Sequence, residues 1–139
     1  MKENLDKTLV TLRPSVPTDK NFIYSTWLKG LYYGNDWFKA IDQDVYFVNY
    51  QNTLNSILAK PGTIVTVACL KDDLDVILGY SVSHGEYLDW IWVKPIWRNL
   101  GIATDLVPAN ITAITHLTKS GQSIWHKKYP NWIFNPFMV

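Results

Sequence analysis

Three β-rich runs follow one another between residues 63 and 95: "TIVTVACL" (63 to 70), "DVILGYSVSHG" (75 to 85) and "EYLDWIWVKP" (86 to 95). Only the acidic turn "KDDL" separates the first two, and Pro95 ends the third, so the pattern predicts three strands in succession. A run of strands this close together must be covered by helices drawn from elsewhere in the chain. Upstream, "TLVTLRP" (8 to 14) reads as a first strand ending at Pro14. Thr18 or Asp19 then offers a cap for a helix in which Phe22, Ile23, Trp27, Leu28 and Leu31 recur at helical spacing until Gly34. "NDWFKAIDQD" reads as an irregular connection. Val45, Val48, Leu54, Ile57 and Leu58 predict a second helix, stopped by "KPG".

Downstream of Pro95, Leu106, Val107, Ile111 and Ile114 suggest a short helix, with Pro108 inside it to shorten or kink it. "AITHLT" reads as a strand, "KSGQSIWHKKYP" as a loop and short helix, and "NWIFNPFMV" as a final strand. The predicted order is β-α-α-β-β-β-α-β-α-β, an α/β layered domain spanning residues 1 to 139.

The charge balance, 13 Lys+Arg against 12 Asp+Glu, supplies no strongly basic face and argues against nucleic acid as a partner. A single cysteine, Cys69 within an apolar run, excludes an internal disulfide and reads as a buried small hydrophobe. His84, His116 and His126 lack metal-ligand spacing, so no metal site is expected. No apolar run approaches membrane-spanning length, and the chain opens without a charged-then-apolar leader; the expectation is a soluble cytoplasmic protein.

The junction after the third of the close-set strands carries the chemistry. In "VKPIWRNLGIATDLV" (93 to 107) a strand runs into a tight loop and then a helical pattern. Such a junction exposes unpaired backbone N–H groups at one point, where phosphate oxygens can bind. Gly101 permits close approach to the backbone, Ala103 nearly so, and Arg98 adds positive charge. A P-loop and a dinucleotide fingerprint both require glycines that are absent.

The pattern V-x-P-x-x-R-x-x-G-I-A resembles the acetyl-coenzyme A signature of the GCN5-related N-acetyltransferase superfamily, with Arg98, Gly101 and Ala103 on its three defined positions. The segments "TDKNFIYSTWLKG", "TVACLKDDLDVILGY", "WVKPIWRNLGIA" and "THLT…FNPF" look like small acetyltransferase-like proteins of tailed bacteriophages. This resemblance implies a mixed, mostly antiparallel sheet splayed between its fourth and fifth strands and flanked by helices. It also implies acetyl-coenzyme A as co-substrate and an amine as acceptor, either small molecule or protein. A homodimer is common in the superfamily, and the phage likeness places the protein in a host cytoplasm.

Carried over by position, the amides of Asn99, Leu100, Gly101, Ile102 and Ala103 hold the pyrophosphate, with help from Thr104. The main chains of Trp92 and Val93 pair with the pantetheine arm, the splay falls around Thr115 to Thr118, and an amide beside it faces the thioester carbonyl. Glu86 and Asp89, early on the fourth strand, are the candidate general bases. The tyrosine that often protonates the leaving thiolate is replaced by Trp125, with Tyr129 close enough to substitute. His116 is a candidate to face the acceptor pocket. Two functional readings result: an N-acetyltransferase, or a module that keeps the fold for binding alone, as a virion component or a host-protein inhibitor.

Overall fold

The computed structural model describes residues 5–139; residues 1 to 4 of the expected domain lie outside the described residues. One six-stranded sheet runs in chain order from β1 to β6. Its strands are β1 (Val10–Pro14), β2 (Thr63–Leu70), β3 (Asp73–His84), β4 (Tyr87–Val93), β5 (Ala113–Ile114) and β6 (Ile133–Phe134). The first four pair antiparallel, whereas β4 with β5 and β5 with β6 pair parallel. The helices are α1 (Lys20–Tyr33), α2 (Asp36–Lys39), α3 (Gln43–Ala59), α4 (Ile102–Leu106) and α5 (Lys119–Lys128).

The strand periodicity sorts side chains onto two faces. Val67 and Cys69 of β2 join Trp27, Leu31, Leu54 and Ile57 of α1 and α3 in the larger core. Ala68, between them, faces the other way and packs with Leu78, Val93, Trp97 and Ile102 beside α4. A third cluster joins Leu88, Ile111 and Ile114, with Trp125 and Trp132 packed against it. α1 approaches the sheet closely at Gly30, where a Cβ would lie 3.0 Å from the Trp90 ring.

Several local expectations are corrected. Asp19 occupies the position before α1 but does not cap it. Its carboxylate accepts from Arg13 Nη1 at 2.7 Å, from Arg13 Nη2 at 3.0 Å and from the Val16 amide at 2.8 Å, and an almost buried guanidinium outcompetes helix amides for it. The connection after Gly34 contains the helical turn α2, because Asn35 Oδ1 accepts the Trp37 N–H at 3.0 Å. Strands β5 and β6 are each two residues long, much shorter than their apolar runs suggest. Pro108 lies beyond α4 rather than inside it. That helix is a single closed turn ending with the Val107 N–H on Ala103 O at 3.2 Å.

Candidate active site

The site begins with one extra residue in β4. Val82 of β3 stands opposite Trp90, but its neighbour Ser83 stands opposite Leu88, so Asp89 is inserted as a bulge. The insertion changes which way the strand faces. Lys94 donates its N–H to Leu78 O at 2.7 Å, so by antiparallel alternation the main-chain groups of Trp92 point to β3. Those of Ile91 and Val93 point to the opposite edge. Packing agrees: Trp90 and Trp92 lie against the α1–α3 core, whereas Ile91 packs with Leu88 from before the bulge.

On that opposite edge β4 pairs with β5 only through Tyr87 and Leu88, and the last bond is from the Thr115 N–H to Leu88 O at 3.1 Å. From Asp89 onward the two strands part. The separation opens where β5 runs on into residues 115 to 118, as the sequence led us to expect. The polar edge of β4 therefore faces a cleft at Ile91 and Val93, whereas Trp92, expected to share that role, is tied to β3.

The cleft ends at the Arg98–Thr104 loop. Pro95–Trp97 form a 3-10 turn, after which Asn99 (φ 67°) and Gly101 (φ 90°) both take left-handed conformations. Left-handed residues of this kind occur in the backbone nests that gather amides around an anion. Among the described residues, no carbonyl or side chain takes the amide protons of Asn99, Leu100, Gly101, Ile102, Ala103 or Thr104. Arg98 Nε donates to Val93 O at 2.7 Å, which fastens the loop to the end of β4. A further cation lies here that sequence spacing could not reveal. A Cβ at Gly101 would sit 3.3 Å from Lys7 Nζ, whose ammonium pairs with Asp105 at 2.9 Å.

A cavity of about 540 Å³ lies on the α1–α3 side of the divergence, lined by Leu31, Trp37, Phe38, Tyr50, His116 and Phe134 among others. The acidic side chain at its rim, Asp36, is shared by Lys39 and Lys119. His116 is among the residues that line this cavity. Its ring lies edge-on to Trp27 and to Tyr50, and burial among them lowers its pKa to about 4.

The two candidate carboxylates have different surroundings. Glu86 is exposed at the closed end of β4, where its side chain accepts from Thr112 Oγ1 at 2.9 Å, away from the parted strands. Asp89 is fully buried, with His84 Nδ1 at 2.7 Å and Thr115 Oγ1 at 2.8 Å. Desolvation pushes its carboxyl above the ordinary value, opposed by the bonds from His84 and Thr115. It reaches the cavity only through side chains. Tyr129 is not among the cavity-lining residues and stacks on Trp132 with ring centres 3.9 Å apart. Trp125 donates its indole N–H to Trp132 O at 2.9 Å. Among the described residues no group of three or more His, Cys, Asp or Glu could hold a metal, and no helix is long and apolar enough to cross a membrane.

No family model and no curated protein matches the chain. Solved structures do. YycN of Bacillus subtilis, assigned as an acetyltransferase, superposes with a TM-score of 0.61 at 13% identity over 85% of this chain and 89% of its own. A Clostridium acetobutylicum protein assigned as an acetyltransferase, solved with acetyl-coenzyme A, gives 0.54 at 15% identity over 86% and 88%. An acetyltransferase of Vibrio fischeri gives 0.50 at 16% identity over 90% and 93%. The chain spans 59% of the length of a GCN5-related N-acetyltransferase from Rhodopseudomonas palustris and 60% of YjaB from Escherichia coli. The mixed six-stranded sheet with its parallel β4–β5 pairing is thus the fold of these acetyltransferase structures.

Proposed function

We propose that the chain is an acetyl-coenzyme A-dependent N-acetyltransferase acting on a primary amine. The observation that carries this reading is the open edge of β4 ending at a loop with a run of unpaired amides. A pyrophosphate needs several convergent donors and close approach to the backbone, and the residues fit it. Asn99 to Thr104 supply the amides, Gly101 the access, and Arg98 and Lys7 positive charge. The pantetheine arm pairs with the main chains of Ile91 and Val93 in the cleft.

Bound acetyl-coenzyme A supplies the activated thioester. The Ile91 N–H, on the free edge just past the bulge, is the donor for its carbonyl oxygen. The amine enters the cavity beside His116. With Asp36 shared by two lysines, the apolar lining suits one amine on an apolar or aromatic body better than a polycation. The bacteriophage likeness, and with it action in a host cytoplasm, rests on the sequence segments alone.

A second reading, a binding module without turnover, is favoured by the placement of Tyr129 and Trp125, neither of which brings a hydroxyl to the leaving sulfur. One experiment separates the two. Calorimetric titration with coenzyme A is followed by thiol-release assays with phenethylamine, spermidine and lysine peptides. Binding with thiol release from an aromatic amine supports the transferase, and binding without release from any amine supports the module. Failure to bind coenzyme A removes the transferase reading and leaves the binding module.

A further inference from the structure

The cavity and the buried Asp89 are joined by an unbroken line of hydrogen bonds drawn from three elements. Tyr50 of α3 meets His116 Nε2 at 2.5 Å, His116 Nδ1 meets Thr115 Oγ1 at 2.9 Å, and Thr115 Oγ1 donates to Asp89 Oδ1 at 2.8 Å. His84 Nδ1 holds the other carboxylate oxygen at 2.7 Å. The direction of the chain follows from its far end. An ionised Asp89 can only accept, so Thr115 spends its one proton there and must accept from His116 Nδ1–H. Nε2 is then bare and accepts from the Tyr50 hydroxyl. That leaves the Tyr50 oxygen, at the cavity wall, with lone pairs free to accept from a bound amine.

We propose that Tyr50, His116, Thr115 and Asp89 form a proton relay in which Tyr50 touches the acceptor and Asp89 is the final proton holder. The inference rests on the amine-acetylation reading and adds to it the path of the proton. An acceptor arriving as an ammonium gives one N–H proton to Tyr50 Oη as the Tyr50 proton moves to His116 Nε2. The His116 Nδ1 proton passes to Thr115 Oγ1, and the Thr115 proton to Asp89 Oδ1. The products are a neutral amine and a neutral carboxylic acid, with His116 in its other tautomer. The amine lone pair then forms the C–N bond as the C–S bond breaks, and the sulfur takes up the second amine proton. After the product leaves, the line runs backward: Asp89 returns its proton through Thr115, His116 and Tyr50 to solvent in the cavity, which restores the starting tautomer of His116.

The low His116 pKa keeps the imidazole neutral at pH 7, as a two-way shuttle requires. The groups facing Asp89 are His84 from β3, Thr115 from the end of β5, His116 toward the Asp89 main chain, Lys60 from the end of α3 and, at longer range, Tyr50. Tyr50 is the catalytic residue in this scheme, because it touches the acceptor, and His116 acts through it. Thr115 is a positioning residue whose hydroxyl connects them to Asp89.

Two readouts on the full chain test the relay. In ¹⁵N-histidine NMR at pH 7, His116 is expected with its proton on Nδ1 and Nε2 bare, and Thr115→Val should redistribute that tautomer. An Nε2–H or doubly protonated His116 in the wild type overturns the relay, whatever the activity. In thiol-release assays with phenethylamine, Tyr50→Phe and Thr115→Val should each lower kcat at least tenfold with coenzyme A affinity within twofold. Thr115→Ser, which keeps the hydroxyl, should recover most of the rate, and thermal melts confirm that each variant is folded. Wild-type kcat in folded Thr115→Val and Tyr50→Phe also overturns the relay. A wild type that binds no coenzyme A sinks the transferase reading instead, and does so independently of the tautomer found.

Discussion

Acidification should destabilise this protein through His116 well before most carboxylates titrate. The imidazole is held neutral in the fold, with its pKa lowered from 6.5 to about 4 by burial between the rings of Trp27 and Tyr50. In the unfolded chain it takes up a proton below about pH 6.5. The unfolded state thus binds more protons between the two values, and stability falls as pH falls. The contribution is complete above pH 6.5 and lost progressively toward pH 4, at about 1.4 kcal/mol per pH unit and about 3 kcal/mol in all. Asp89 opposes this in the lower part of the window, because its raised pKa makes the fold gain stability as pH drops through that value toward 3.8. Urea unfolding followed by tryptophan fluorescence at pH 7.5, 6.5, 5.5 and 5.0 measures the slope. His116→Gln, which cannot titrate, should flatten it by about 1.4 kcal/mol per unit with an unchanged m-value. Equal slopes in the two proteins would show that His116 is not held neutral, and the argument from its burial would fail.

Gly101→Ala should lower stability by about 1–2 kcal/mol, since φ is 90° and the new Cβ meets the Lys7 ammonium; urea midpoints check this. Gly101→Glu adds like charge at the proposed phosphate site and should cost on the order of a hundredfold in coenzyme A affinity by calorimetry, and unchanged binding in folded protein would remove that assignment. Arg98→Ala removes the bond to Val93 O and one cation, and is expected to weaken coenzyme A binding roughly tenfold with about 1 kcal/mol of stability lost. Arg13→Ala strands the Asp19 carboxylate, which the guanidinium holds below its ordinary pKa, and should cost about 3 kcal/mol at neutral pH. The loss should shrink as pH falls toward that lowered pKa, where the wild-type pair also breaks.

The elements with a strong internal period were legible in the sequence: β2 spans the run read as a strand, and α3 differs from its predicted range by one or two residues. Elements defined by partners were not. The run "AITHLT" has strand composition throughout, but only Ala113 and Ile114 find a neighbour once β4 diverges. Asp19 reads locally as a helix cap, and only the strand before it shows that Arg13 is its partner. The Arg98–Thr104 loop was readable as a unit because its residues are consecutive. The relay was not: Tyr50 and His116 lie 66 residues apart, and Thr115 and Asp89 lie 26 apart. The bulge at Asp89 sets which of Ile91 and Trp92 turns its main chain to the free edge, and a one-residue change of phase leaves no mark in composition.

The short seam between β4 and β5 also governs how the molecule comes apart. Only two residue pairs, with the Thr115 and Thr112 bonds beside them, fasten β5 and β6 to the long antiparallel strands. Beyond the seam, α5 has no buried residue and both residues of β6 are exposed. Trp125 and Trp132 still pack on the Leu88–Ile114 cluster, but the segment has less apolar area to lose on detaching than the long strands, so its opening free energy should lie below that of the whole protein. Amides of α5 and β6 should exchange with deuterium faster than those of β2 and β3. A ligand wedged along the free edge of β4 and touching residues 115 to 118 would slow that exchange, and the protection pattern of the C-terminal third would then register occupancy of the cleft.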